Sequence, residues 1–179
     1  MADRQLFFQT RLGQCRLLYQ NRPFSVSRIL LPGQNRAVGL VPEERSLAAN
    51  HPARQVAAAV GRFFEGVQPQ QIPEVWLDWQ QLTQKEGRVA RTVARIPYGA
   101  TRTYGEVAAL AGFQGAARFV GNVMAKNPFP VIIPCHRVIR ADGTIGGFGG
   151  GTRLKRRMLE LEAGGEKTMV DRILKSKDE

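Results

Sequence analysis

Residues 103–140 read TYGEVAALAGFQGAARFVGNVMAKNPFPVIIPCHRVIR. Two short helical patterns flank a glycine-bearing turn. Thr103 can cap the first, and Glu106 follows at the spacing of a capping box. Gly112 breaks that helix, and the second is predicted from about Ala116 to Lys126. Short helices around a tight turn form a helix-turn-helix or an ordinary helical hairpin, and the hairpin is the commoner object. Basic surroundings and Arg118 near the start of the second helix favour the DNA-binding version. The stretch ends in an apolar run between prolines that delivers Cys135, with His136 directly after it.

Upstream, the chain reads as strands. LFFQT (6–10), CRLLYQ (15–20) and FSVSRILLP (24–32) are separated by turn-like RLG and NRP. Asn50 is the expected cap of a following helix, with Pro52 in its first turn and Val56, Val60, Phe63 and Phe64 at helical spacing. QPQQIPE (68–74) reads as a linker, and Thr83 as the cap of a helix through Arg95. The expected fold class is α+β. An N-terminal scaffold of a small antiparallel sheet with a helix covers 1–80. A mostly helical, winged-helix-like domain carrying the cysteine covers 81–165, and a charged tail covers 166–179, where MVDRILK frames a last helix.

The net charge of the 179 residues is +11. Between Arg88 and Arg157 there are twelve Lys or Arg and only two acids, Glu106 and Asp142. A positive field concentrated in the cysteine-bearing segment favours a polyanion, above all nucleic acid. No run approaches a membrane span, and MADRQLFFQT lacks the pattern of a secretory signal. A cytoplasmic location is expected, or a nuclear one in a eukaryote. Cys15 and Cys135 read as free thiols; with His51 and His136 they make a poor zinc set, so no metal is expected.

An unperturbed thiol is only a few per cent thiolate at neutral pH, and an imidazole can raise that fraction. Sequence adjacency is an obstacle here. In an extended segment Cys135 and His136 point to opposite faces, so a bend or a water must join them. The imidazole also needs an orienting partner, and an acid of LKRRMLELE is a candidate. The bland reading makes Cys135 a core hydrophobe and His136 a surface residue. Cys15 and His51 keep that bland reading, as a strand residue and a helix-start residue.

With PCHRV (134–138) in place, the sequence resembles the O6-alkylguanine-DNA alkyltransferase family, also called methylated-DNA–protein-cysteine methyltransferase. IPYGATRTYGEVAALAG (96–112), AARFVGNVMAKNPFPVIIPCHRV (116–138) and GTIGGFGGG (143–151) with RMLELEAG (158–165) match in register; the resemblance spans about 88–165. It implies direct, irreversible, single-turnover transfer of an alkyl group from O6-alkylguanine in double-stranded DNA, with O4-alkylthymine as a second substrate. The nucleotide is first flipped from the duplex. No cofactor is implied, and a monomer that clusters on DNA is expected.

Residue by residue, the resemblance makes Cys135 the alkyl acceptor, His136 the base acting through a water, and Glu162 the carboxylate orienting it. Asn127 matches the hinge asparagine, Tyr104 the tyrosine on guanine N3, and Arg118 the finger that fills the gap left by the flipped nucleotide. Thr103 and Ala117 match DNA contacts. Pro130, Val138 and the backbone of Gly147, Phe148 and Gly149 match the base pocket. Two departures stand out. TQKEGRVARTVAR lacks the aromatic residues common in the family, and Gly147 and Gly149 replace polar side chains, which implies a more open pocket.

Three other functions fit parts of the pattern. A non-enzymatic binder of alkylated guanine keeps the fold but lacks the cysteine, which is present here. A sequence-specific transcription factor leaves the Cys–His pair unexplained. A thiol hydrolase requires turnover on an ester or peptide.

Overall fold

The computed structural model describes residues 4–34 and 46–164, and the chain divides into two units. The first comprises Met1–Gln81 with Pro128–Ile132. Its three predicted strands form an antiparallel sheet in the order β1 (Arg4–Thr10), β2 (Gly13–Asn21), β3 (Phe24–Leu30). Phe8 faces Cys15, and Leu17 faces Ile29. In central strand β2 every residue from Cys15 to Tyr19 is buried, so both faces of that strand are covered. Burial pushes the Cys15 thiol up to about 12, against a weaker opposing hydrogen bond from Thr10. An inert core thiol fits its place in the strand.

Helix α1 (Pro52–Phe64) buries Val56, Val60, Phe63 and Phe64 on one face and packs on β1 and β2. Its cap is His51, not the expected Asn50. The ring Nδ1 accepts the Ala53 N–H at 3.1 Å, and Nε2 meets Asn21 Oδ1 at 3.1 Å. An imidazole can accept as a cap does while its far nitrogen ties the helix to the sheet, a long-range reward that local propensity omits.

The second unit comprises Leu82–Asn127 and the chain from Ile133 onward. Thr83 caps α2 (Gln84–Ala94) in a full capping box with Glu86. The expected box at Thr103 and Glu106 opens α3 (Tyr104–Leu110), and α4 runs Ala117–Ala125. Helices α2, α3 and α4 pack on one another. At the turn between α3 and α4, Gly112 has φ 76°, and a Cβ there would lie 2.5 Å from Arg88 Nη2. The Arg88 guanidinium sits 4.9 Å over the Phe113 ring, which meets Phe119 edge-on at 5.5 Å. These contacts fix the turn. The parallel pair β4 (Arg102–Thr103) and β5 (Val138–Ile139), and α5 (Thr152–Glu162), complete the unit.

Two features differ from the sequence reading. The run before Cys135, taken as extended in the sequence, turns at Val131, which has φ 74°. Residues 128–132 also cluster with the first unit, although the run 81–165 reads as one domain in the sequence. There the Pro128 carbonyl accepts the Ile29 N–H at 2.8 Å, and the Phe129 ring lies 6.1 Å from Trp79. The tail 166–179, with its expected helix, lies outside the described residues. Among the described residues no helix is long and apolar enough to cross a membrane.

Candidate active site

A single 3₁₀ turn, Cys135–Arg137, supplies the bend that an extended chain lacks. The Cys135 N–H donates to the Ile133 carbonyl at 2.8 Å, and the Arg137 N–H to the Pro134 carbonyl at 2.9 Å. Three successive side chains are thereby all buried: Cys135 is 4% exposed, His136 0% and Arg137 6%.

The carboxylate of Glu162, at the end of α5, gathers this turn. His136 Nε2 lies 2.7 Å from Oε1. Arg137 Nε donates to both oxygens, at 2.9 and 3.1 Å, and Nη2 to Oε1 at 2.8 Å. Oε2 also accepts the Gly99 N–H at 2.9 Å. The remaining arm of Arg137 donates to the Ile96 carbonyl at 2.6 Å. One carboxylate thus joins the PCHRV turn, the IPYG turn and α5. Burial would raise the Glu162 carboxyl, but hydrogen bonds and charges from His136 and Arg137 outweigh it and hold it below its ordinary range. An ionised carboxylate accepts only, so Nε2 carries the imidazole proton and Nδ1 is the basic nitrogen. Burial lowers the affinity of His136 for a second proton, against the pull of Glu162, while Arg137 and Lys155 add to the lowering. Burial likewise pushes the Cys135 thiol above 9.0, opposed by Asn127 and by the charge of Lys155.

Lys155 is 0% exposed, inside α5. Its Nζ donates to the Val138 carbonyl at 2.6 Å and to the Gly147 carbonyl at 3.4 Å, and lies 5.8 Å over the Tyr104 ring. Burial lowers it to about 8, with Arg140 assisting and Cys135 opposing. Tyr104 opens α3, and burial followed by the field of Cys135 raises its hydroxyl. A Cβ on Gly146 would lie 3.1 Å from that hydroxyl, so the glycine leaves room for it.

The structure therefore brings Cys135, His136, Glu162, Asn127, Tyr104, Val138 and Gly147 into one connected region. Asn127 Nδ2 donates to the Ile133 carbonyl at 2.8 Å. Phe148 is half-buried, and Gly147 and Gly149 are exposed; nothing lies within 4 Å of where a Cβ of Gly147 would be. Pro130 is buried and belongs to the first unit. Thr103 spends its hydroxyl as the cap of α3, accepting the Glu106 N–H at 3.2 Å. Ala117 and exposed Arg118 are the first two residues of α4, whose start has no side-chain cap.

Arg137 and Lys155 escape the sequence reading. Both count there as charges of a DNA-facing segment, yet both are buried at the site. A faint signal existed for each. Arg137 follows the Cys–His pair directly, and Lys155 lies seven residues, two helical turns, before Glu162.

Residues 84–164 match the family described as 6-O-methylguanine DNA methyltransferase, DNA binding domain. The chain is 51% identical over 86 residues to a methylated-DNA–protein-cysteine methyltransferase of Methanothermobacter thermautotrophicus, a match covering 48% of each protein. It spans about half the length of this and several other such relatives. A protein of the same name from Mycobacterium leprae is 39% identical over 70% of each chain. Mycobacterium tuberculosis OGT, solved in complex with DNA, superposes with a TM-score of 0.70 at 30% identity, covering 90% of this chain and 93% of that one.

Proposed function

The chain belongs to the methylated-DNA–protein-cysteine methyltransferase family, and from that premise we propose that it repairs O6-alkylguanine in DNA by moving the alkyl group onto Cys135. The observation that carries this reading is the buried thiol on a 3₁₀ turn beside an imidazole fixed by Glu162.

His136 Nδ1 takes the thiol proton through a water. The sulfur pair attacks the saturated carbon on O6, an S–C bond forms, and the C–O6 bond breaks with its electron pair passing to O6. The guanine accepts a proton as it leaves, with the Tyr104 hydroxyl hydrogen-bonded at N3. In sum the thiol proton ends on guanine and the alkyl group on sulfur. Atoms and charge balance without a cofactor. The thioether is inert, so each chain reacts once.

O6 takes part in base pairing, so the nucleotide must leave the stack, at a cost of a few kcal/mol. In this reading Arg118 fills the gap. It projects from the start of α4, where first-turn N–H groups are available to phosphate. The reading puts α4 in the minor groove, where sequence readout is degenerate, which suits repair in any context.

The test is intact-mass measurement after mixing with an oligonucleotide carrying O6-methylguanine. One methyl adduct per chain is expected, located on Cys135. Correctly folded protein that acquires no adduct refutes the reading. Cys135→Ser should lose transfer and keep DNA binding.

A further inference from the structure

Helix α4 turns three different faces to its surroundings. Val120, Val123 and Met124 are buried and form its inner side. Gly121 lies on the flank, where an added Cβ would come within 3.9 Å of the Tyr104 ring. The outer side is exposed and carries Arg118, Asn122 and Ala125, at the i, i+4, i+7 spacing of one helical stripe. It offers one cation, one amide and one methyl group.

Asn122 is the member of this stripe that the fold does not use. Asparagine is less favourable than alanine inside a helix, because its amide competes for backbone groups. The usual compensation is a cap or a local hydrogen bond. Asn122 sits in the interior of α4, away from either end. Among the described residues its side chain has no hydrogen-bond or ion-pair partner. Ala125, one turn further on the same stripe, shows what folding alone accepts there.

The spacing from Arg118 sets what Asn122 can reach. Four residues of helix advance about 6 Å along the axis. Base pairs are stacked about 3.4 Å apart, so a side chain that far from the gap left by a flipped nucleotide stands within about two pairs of it. On the floor of the minor groove an A·T pair shows two acceptors, adenine N3 and thymine O2. A G·C pair adds a donor, the guanine 2-amino group. A side-chain amide has an acceptor oxygen and N–H donors, whereas a guanidinium only donates. The amide of Asn122 therefore matches the guanine 2-amino group and N3 together. At an A·T pair its oxygen is left facing another acceptor.

We propose that Asn122 reads the minor-groove edge of a base pair close to the lesion and favours G·C there. Oδ1 accepts from the guanine 2-amino group, and Nδ2 donates to guanine N3. Every context is still repaired, with a graded preference for lesions that have a guanine at the pair Asn122 reaches. The proposal rests on the alkyl-transfer reading, through the seat of Arg118 in the duplex.

The experiment measures duplex affinity in a Cys135→Ser background, so that no transfer occurs. Each duplex carries one O6-methylguanine, with G·C or A·T placed in turn at each of the two pairs on either side. Flanking pairs also differ in how easily they unstack. The readout is therefore the G·C preference with Asn122 divided by the preference after Asn122→Ala. That ratio should be about fivefold or more at one of the positions. Inosine in place of the guanine removes the 2-amino group and should bring the ratio to one. Diaminopurine opposite thymine supplies that group and should restore it. Alanine is the better helix former, so the variant keeps α4. A ratio near one at every position overturns the proposal, as does a preference that survives inosine. An equal loss of affinity on all duplexes also overturns it, because that is the mark of a phosphate contact. Wild-type protein that takes no methyl group from DNA refutes the repair reading. The affinities are measured without transfer and decide this proposal on their own.

Discussion

Asn127 and Ile133 are joined side chain to backbone: the Asn127 amide donates to the Ile133 carbonyl at 2.8 Å, closing off residues 128–132. Inside that span Val131 holds φ 74°, a conformation that costs a β-branched residue about 1–3 kcal/mol. Asn127 also hydrogen-bonds the Cys135 thiol and opposes the rise that burial causes. Asn127→Ala should therefore lose about 1 kcal/mol of stability and slow alkyl transfer at least tenfold. Urea unfolding and a single-turnover rate measure the two effects separately.

Lys155 is a buried cation that, among the described residues, donates to two backbone carbonyls. The anion that best matches it is the thiolate formed during transfer. Lys155→Met should slow transfer by a factor of about 10–100, by analogy with the loss of a preorganised charge. The pH dependence of stability has a definite sign. In the folded chain Lys155 sits at about 8, below its ordinary 10.5. The unfolded chain therefore binds the proton more tightly, and the wild type loses stability as pH falls from about 10.5 to 8. The variant lacks this loss, so its stability relative to wild type should rise over that range. Urea midpoints at both ends of the range test the difference.

Tyr104→Phe removes the hydroxyl proposed to meet the leaving guanine and keeps the ring beneath Lys155. Transfer should slow about 10²-fold, within the range of a lost proton donor.

Arg118→Ala should slow transfer from duplex DNA by tenfold or more and leave transfer from a free O6-alkylguanine nucleoside unchanged. A variant as fast as wild type on duplex refutes the flipping role. Affinity for duplex should fall steeply with salt, and the variant should show a shallower slope, by about one where the lost contact is to phosphate.

Gly61 lies inside α1, and a Cβ there meets nothing within 4 Å. Gly61→Ala should stabilise the chain by about 0.5–1 kcal/mol with no change in transfer, as read by thermal unfolding.

The parts legible in the sequence were those with local causes. Turn residues between apolar runs placed the strands, and the Thr103–Glu106 box placed the start of α3. PCHRV with its flanks placed Cys135, His136 and Glu162 together. What escaped has long-range causes. His51 replaces Asn50 as a cap because Asn21, thirty residues away, holds its other nitrogen. The bend at Cys135 is a 3₁₀ turn stabilised by contacts from α5. In the sequence Arg137 and Lys155 count among charges meeting DNA, since a formal charge carries no record of its burial. Two of the twelve cations between residues 88 and 157 thus belong to the interior.

The grouping of Pro128–Ile132 with the first unit bears on modularity. The thiol's own segment dips into another part of the chain and returns, so the gene cannot be cut at residue 82 into two self-contained pieces. A fragment starting there would carry buried Phe129 without the Trp79 ring, and the Pro128 carbonyl without the Ile29 N–H. Any exchange of the N-terminal half, by recombination or by engineering, has to preserve a socket for five residues encoded downstream. The half without the reactive cysteine is thereby coupled to the half that has it through inheritance, with no need for chemistry of its own.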